Sequence, residues 1–434
     1  MVMLRFALLR RVFHFAAAST LLAIFALTVR AQAHPPAPAK PVIRTVTAFV
    51  NLDRAEYQSQ IADAFKTLHL AQTVLESRGY VVQSLRIATQ PFPEYSRDLP
   101  AGQTLAFFQQ LDALAAKDNL QICIGPAMYH QRGSESQAEM LGNILLNTKN
   151  LSGSVMVADR DGLHGNAARA AANIIRKLSE GTPNSQGAMR FAALAMVAPL
   201  TPTFPSAYVD GFAHQFAIAL QSADLVANTV NGAPDNAAAK QRITDALASE
   251  AYDLDGYAGR VDSETGWAFA GIDLSPTSSK DASIGDALEG LSGHQAGSKE
   301  AVAAANIITS AIRGVSLRQI GFGGVPLTVL EDRRLAQRWS EGRISVDTLM
   351  DYAAAGSTGL DAVPLPGDIT NSQLEVIIVN AASFAYRSHK PLVIRLVPVS
   401  GKTAGDRTEF DDPALVNVTL QPYRFSTVPA HTTP

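Results

Sequence analysis

Cysteine is nearly absent: Cys123 is the only one in 434 residues. This excludes an intramolecular disulfide and any cysteine-based zinc or iron–sulfur centre. Histidines are dispersed; beyond residue 33 the closest two, His130 and His164, stand 34 residues apart. No local two-histidine metal motif exists, and no Gly-x-Ser-x-Gly string marks a nucleophile elbow. Charge is sparse at 17% and nearly balanced, with 36 Lys+Arg against 39 Asp+Glu and a net of −3. No nucleic-acid footprint is visible in that balance. Only one long apolar run is present, which excludes a polytopic membrane protein. Hydrophobic residues, at 47%, still suffice for a sizeable core, either two average domains or one large α/β domain.

The apolar run belongs to an N-terminal leader. Arg5, Arg10 and Arg11 form a basic region, the stretch Phe15 to Val29 carries no charge, and Ala31-Gln32-Ala33 is a small-x-small cleavage site. This layout predicts a signal peptide over residues 1–33, a mature start at His34 and a secreted or periplasmic protein. The run is shorter than the ~20 residues of a spanning helix, so no stable membrane insertion is expected after cleavage. Loss of four leader arginines leaves 32 basic against 39 acidic groups, a net of −7. Residues 34–41, with four prolines, read as an extended lead-in, and residues 423–434 as a disordered tail.

Between them, strand-like and helix-like segments alternate. Strands are expected near 44–50, 81–88, 120–124, 154–158, 191–198, 267–272 and 392–398, most of them followed by apolar residues at helical spacing. Units of 30–40 residues argue for parallel strands with helical crossovers. From Phe216 to Tyr257 the chain reads as Ala-rich and mostly helical. No fixed-period repeat occurs, and no linker divides residues 42–422, so one α/β barrel domain is expected there. Cys123 lies in an apolar strand and reads as a buried small hydrophobe; His164 reads as a surface-turn residue.

Chemistry is expected in four Gly- and acid-rich loops, which together hold seven carboxylates. They are Gly271-Ile272-Asp273-Leu274-Ser275-Pro276, Gly321 to Asp332, Gly356 to Asp368, and Gly401 to Phe410. In parallel α/β folds ligands sit outside the carboxyl ends of strands, and glycine lets backbone N–H groups approach an anion. Each loop also has a plainer reading. Asp273 can cap a turn, and Glu331-Asp332 can open a helix whose dipole favours acids. Gly321 to Gly324 lacks the third glycine of a dinucleotide fingerprint, and Gly401-Lys402-Thr403 lacks the upstream glycine of a phosphate loop.

Five strings resemble the family of domain of unknown function 711: Arg44-Thr45-Val46-Thr47, Gly271 to Pro276, Leu330-Glu331-Asp332, Gly356 to Asp368 and Gly401 to Phe410. The similarity runs over about residues 42–420. It implies a fold like that of pyruvate formate-lyase, a ten-stranded α/β barrel of two five-stranded half-sheets, and it implies no particular reaction. It also implies a cytoplasmic setting beside a small amino-acid-sensing protein, from which the leader departs. The Arg-Val-x-Gly-Tyr string of glycyl-radical enzymes does not occur after Gly401, so radical chemistry is not expected.

The expectation is therefore an exported enzyme acting on a small carboxylate or amino-acid-like compound at one barrel mouth. Asp273, Glu331, Asp361, Asp368 and Glu409 are the candidate acid/base groups. Ser275, Lys402 and Arg407 are candidates for substrate binding, Arg407 through a bidentate grip on a carboxylate. Converging carboxylates repel, so a Mg²⁺ or Ca²⁺ ion on Asp273, Asp361 and Asp368, the two basic side chains, or protonation of one acid must compensate. The alternatives are a non-catalytic periplasmic ligand binder and an oligomer-forming protein in which these loops only pack.

Overall fold

Strand β1 (Val42–Val50) is β-branched and apolar apart from Arg44 and is almost entirely buried, as a strand covered on both faces must be. Helix α1 (Tyr57–Glu76) follows, its buried Ile61, Ala64, Leu68, Ala71 and Leu75 recurring every three or four residues. The same alternation continues through β2 (Leu85–Thr89), α2 (Pro93–Ser96), α3 (Ala101–Lys117), β3 (Gln121–Ala127), α4 (Glu135–Leu146) and β4 (Leu151–Asp159). A two-residue strand β5 (Gly162–Leu163) turns back on β4 and leads into α5 (Gly165–Gly181) and β6 (Phe191–Ala195). The second half contains β7 (Gln215–Gln221), α6 (Ala223–Val230), α7 (Asn236–Thr265), β8 (Ala268–Asp273), α8 (Ile284–Ser292) and α9 (Lys299–Arg313). It ends with α10 (Arg333–Ser340), α11 (Val346–Ala355), β9 (Gly359–Pro366), α12 (Asn371–Ser388) and β10 (Leu392–Val399).

This is a computed structural model that describes residues 40–129 and 134–423. The expected leader, nearly all of the lead-in and the tail beyond residue 423 lie outside the described residues. No helix among the described residues is long and apolar enough to cross a membrane.

The fold is mixed α/β with one ten-stranded sheet, in the order β8-β7-β1-β2-β3-β4-β6-β10-β9 with β5 beside β4. Strands β1, β2, β3, β4 and β6 are mutually parallel. Both flanks reverse: β7 is antiparallel to β1 and β10 to β6, while β8 and β9 run parallel to those partners. Five neighbouring strands therefore run one way, and two strands at each end of the sheet, with the short β5, run the other. The sheet is not closed strand to strand. Instead, an irregular segment touches both edges, through bridges of Gln319 to Ile272 in β8 and of Thr328 to Asp361 in β9.

Two segments depart from the expected assignment. Gln215–Gln221 is a strand, not the start of a helix, because its apolar run is buried on both faces and gives no two-residue alternation. Gly359–Pro366 is a strand, not a loop; its two prolines are accommodated because β9 is the last strand in the sheet order.

The sheet wraps around part of its own chain. Residues 196–214, between β6 and β7, pass along its inner face. Ala207, Val209 and Ala213 pack on Phe49, Ala88, Cys123, Ala217 and Ala270, from five different strands. Tyr208 and Val197 pack on Met156, Leu194 and Val393, from three others. Hydrogen bonds fix this insertion: the Thr47 hydroxyl donates to the Pro202 carbonyl at 2.9 Å, and the Val209 N–H to that of Thr89 at 3.0 Å. Cys123 is buried within it, and burial pushes its thiol up to about 11. His164 is not a surface-turn residue. It is folded under the β4–β5 turn, where its Nε2 faces the Asp159 carboxylate at 3.0 Å and both side chains are nearly buried.

Candidate functional site

One cavity collects charged side chains from both halves of the sheet. Its walls include Arg44 of β1, Arg86 of β2, Asp273 of β8, Asp361 of β9 and Arg395 of β10, with Glu331 from the turn before α10. The tip of the inserted segment, Thr203 to Ser206, forms another wall. The cavity is narrow, with about 50 Å³ open to the centres of water-sized molecules.

Arg395 sits where β10 slips register against β9, an irregularity that re-aims a side chain. Its Nε donates to Asp361 Oδ1 at 2.6 Å and its Nη2 lies 3.2 Å from Glu331 Oε1. Arg44 reaches the other Glu331 oxygen at 3.4 Å. Burial works against the charge on Arg395, but Asp361 and Glu331 outweigh it, and its pKa is raised. Burial also acts to raise Glu331, yet the guanidinium groups of Arg395, Arg44 and Arg86 together hold it below the ordinary value. Asp361 moves the other way: burial leads and nearby Glu331 repels, so its pKa rises despite Arg395.

Two groups in the cavity lack such compensation. Arg86 is buried with its guanidinium 4.9 Å from the centre of the Phe204 ring, and it makes no ion pair or hydrogen bond among the described residues. Burial, with repulsion from Arg44 and Arg395, lowers its pKa to about 9. Asp273 is 1% exposed and has no cation beside it. Its Oδ1 accepts the Ser275 N–H at 2.9 Å, while Oδ2 has no hydrogen-bond partner among the described residues. Burial raises its pKa to about 6, held back in part by the nearby Ser275 and Phe322 donors. Gly321 lies against this carboxylate so closely that a Cβ there would stand 2.1 Å from Oδ2.

Unpartnered buried polar atoms converge on the cavity. Arg86 Nε, Thr203 Oγ1, Asp273 Oδ2, Ser275 Oγ and Thr328 Oγ1 all belong to residues lining it. Buried polar atoms are normally hydrogen-bonded, and each one left without a partner costs about 1–3 kcal/mol. Five such atoms around one cavity are left for water or a ligand to satisfy.

The structure thus brings Asp273, Ser275, Glu331 and Asp361 together. Asp368, Lys402, Arg407 and Glu409 line a different region. Asp368 is exposed in the turn after β9, Lys402 pairs with exposed Glu409 at 3.1 Å, and Arg407 is exposed beside Thr419. The cage expected from Asp273, Asp361 and Asp368 does not assemble, because Asp368 is at the surface and Asp361 Oδ1 is taken by Arg395. Among the described residues, no group of three or more His, Cys, Asp or Glu side chains could hold a metal ion. Asp332 is the N-cap of α10, accepting from the Arg334 and Leu335 N–H groups and from the hydroxyls of Ser278 and Ser283.

The sequence reading missed all three cavity arginines. Their signal is a single charge inside an otherwise apolar or β-branched run, as in Val42-Ile43-Arg44-Thr45-Val46 and Leu392-Val393-Ile394-Arg395-Leu396-Val397. A buried strand carries a charge only where a partner or ligand answers it.

A family model described as "Uncharacterised ACR (DUF711)" matches residues 38–413. A UPF0210 protein of Pyrobaculum aerophilum is 31% identical over 363 residues, 79% of each chain. Another, from Oenococcus oeni, is 25% identical and covers 85% of this chain and 88% of its own. Among solved structures, the anaerobic ribonucleotide reductase of Thermotoga maritima in complex with dATP and CTP aligns at 9% identity. Its TM-score is 0.41, over 86% of this chain and 79% of that one.

Proposed function

The chain belongs to the DUF711 family, and from that premise we propose an enzyme that acts on a small carboxylate in the arginine-lined cavity. Arg86 anchors the anionic group, with Arg44 beside it, and Asp273 moves the proton. The observation that carries this reading is the pairing of one uncompensated buried cation with one uncompensated buried carboxylate in a single cavity, among unpartnered hydroxyls.

Each role follows from the local chemistry. A guanidinium is a planar donor array that meets a carboxylate bidentately, and Arg86 has no competing partner to surrender. A carboxyl group near pKa 6 lies closer to neutrality than an ordinary Asp and so exchanges protons more readily at working pH. As the carboxylate, Asp273 takes a proton from a bound substrate atom; as the acid, it returns that proton to the product. Glu331, Asp361 and Arg395 satisfy one another and hold the wall rigid. No metal ion is required for charge balance, since three arginines stand against three acids.

Incubation with small carboxylates in D₂O tests this directly. Deuterium should enter the substrate in the presence of the protein, rise with pH through about 6, and be lost in Asp273→Asn. A ligand that binds stoichiometrically and returns without exchange or conversion would instead make the protein a binder. Export belongs to the same proposal, because the leader motif sends the site out of the cytosol. A mature chain should begin at His34; one still beginning at Met1 in the extracytoplasmic fraction rules cleavage out, and one confined to the cytosol rules export out.

A further inference from the structure

We infer that the substrate is a hydroxycarboxylate, one whose carboxylate meets Arg86 and whose neighbouring hydroxyl meets Asp273 and Ser275. This rests on the cavity reading above and goes beyond it by counting donors and acceptors. The unpartnered protons come from the Arg86 Nε–H and from the hydroxyls of Thr203, Ser275 and Thr328. Against these four donors the protein leaves one dedicated acceptor, Asp273 Oδ2. The ligand must therefore be rich in acceptors, and it must bring at least one donor for Oδ2.

Three chemistries can be compared on that count. A plain carboxylate supplies acceptors for Arg86 and the hydroxyls, but no donor, so the buried Oδ2 stays unsatisfied. An amino acid supplies an ammonium, which donates to Oδ2 yet accepts nothing, so its carboxylate is left as the sole acceptor group for Arg86 and all three hydroxyls. A hydroxyl does both: it donates to Oδ2 and accepts from Ser275 or Thr328. Phe204, Phe322, Pro326 and Val393 also line the cavity and offer apolar surface to a short carbon skeleton.

The test uses three compounds of one shape that differ only at carbon 2: lactate, propanoate and alanine. Calorimetric titration into the full chain should give lactate an affinity at least about tenfold above propanoate and alanine, since sites built to bond a hydroxyl reject analogues lacking it. Ser275→Ala and Thr328→Val should each weaken lactate more than propanoate and so shrink that advantage. Equal affinities for lactate and propanoate, or tighter binding of alanine, overturn the hydroxycarboxylate inference and leave the anion site standing. Arg86→Gln should abolish binding of all three; an unchanged propanoate affinity in that variant overturns the cavity reading itself. Absence of binding by every compound overturns both. The wild-type series decides the matter even if a variant folds poorly.

Discussion

Arg395 and Arg86 share one cavity and one side-chain chemistry, yet their surroundings drive them in opposite directions. Arg395 is bracketed by Asp361 and Glu331 and its charge is locked in. Arg86 has an aromatic ring beneath it and two other arginines nearby, and its charge is held at a cost. The first is an internal strut. The second is a socket, and the difference shows how a buried charge declares its purpose: a structural one is paired within the chain, a receptive one is left for the ligand to pair.

Replacement of each arginine should break the likeness most sharply. Arg395→Met strands two buried carboxylates, and removing one partner of such a cluster typically costs about 3–5 kcal/mol. Chemical denaturation should show that loss, and Arg395→Met and Glu331→Gln combined should lose less than the sum of the singles.

Asp273→Asn should have the next largest effect, with the opposite sign. The folded-state pKa of Asp273 is raised from 3.8 to about 6, so the folded chain holds that proton more tightly than the unfolded one. Its stabilising contribution is complete below pH ~4 and is lost as pH rises through about 6. At pH 7 the ionised carboxylate therefore costs about 3 kcal/mol, which the amide removes. Thermal melts should find the variant more stable than wild type at pH 7 and equal to it at pH 4.

Gly321→Ala forces a Cβ onto the same carboxylate from a backbone held at φ +77°. A loss of about 1–3 kcal/mol is expected, and combination with Asp273→Ala should relieve the steric part. Arg86→Gln should change stability by under about 1 kcal/mol, because lost stacking on Phe204 offsets relief of an unpaired charge, while ligand-induced stabilisation vanishes. Lys402→Ala should do least, about 0.5 kcal/mol or below, because its pair with Glu409 is solvated. If Lys402→Ala abolished ligand binding and Arg86→Gln did not, the comparison of strut and socket would be about the wrong residues.

Much of the architecture was legible because burial on both faces leaves unbroken apolar strings. Strands β1, β3, β4, β8 and β10 stand close to where those strings fall. Strand β9 was not legible, since Gly359, Pro364 and Pro366 speak for a loop, and only an edge position makes them compatible with pairing. Asp273 and Glu331 could be found because glycine and turn residues surround them. Asp361 was chosen as a loop residue and proves to be a strand residue. The arginines were hidden by the same logic in reverse: a search confined to loops passes over a charge embedded in a strand. The insertion of residues 196–214 leaves no periodic trace, because its partners are strands from the whole length of the sheet.

That insertion sets a condition on how the molecule is made. Thr47 meets Pro202 across 155 residues of chain, and Cys123 meets Pro205 across 82. The interior is thus stitched by contacts between segments far apart in the chain, and loop-closure entropy must be met before any of them stabilises the fold. Refolding should accordingly be slow for a protein with this much helix. The rate should also fall when Ala207 or Val209 is enlarged, because the sheet must close around a segment already in place.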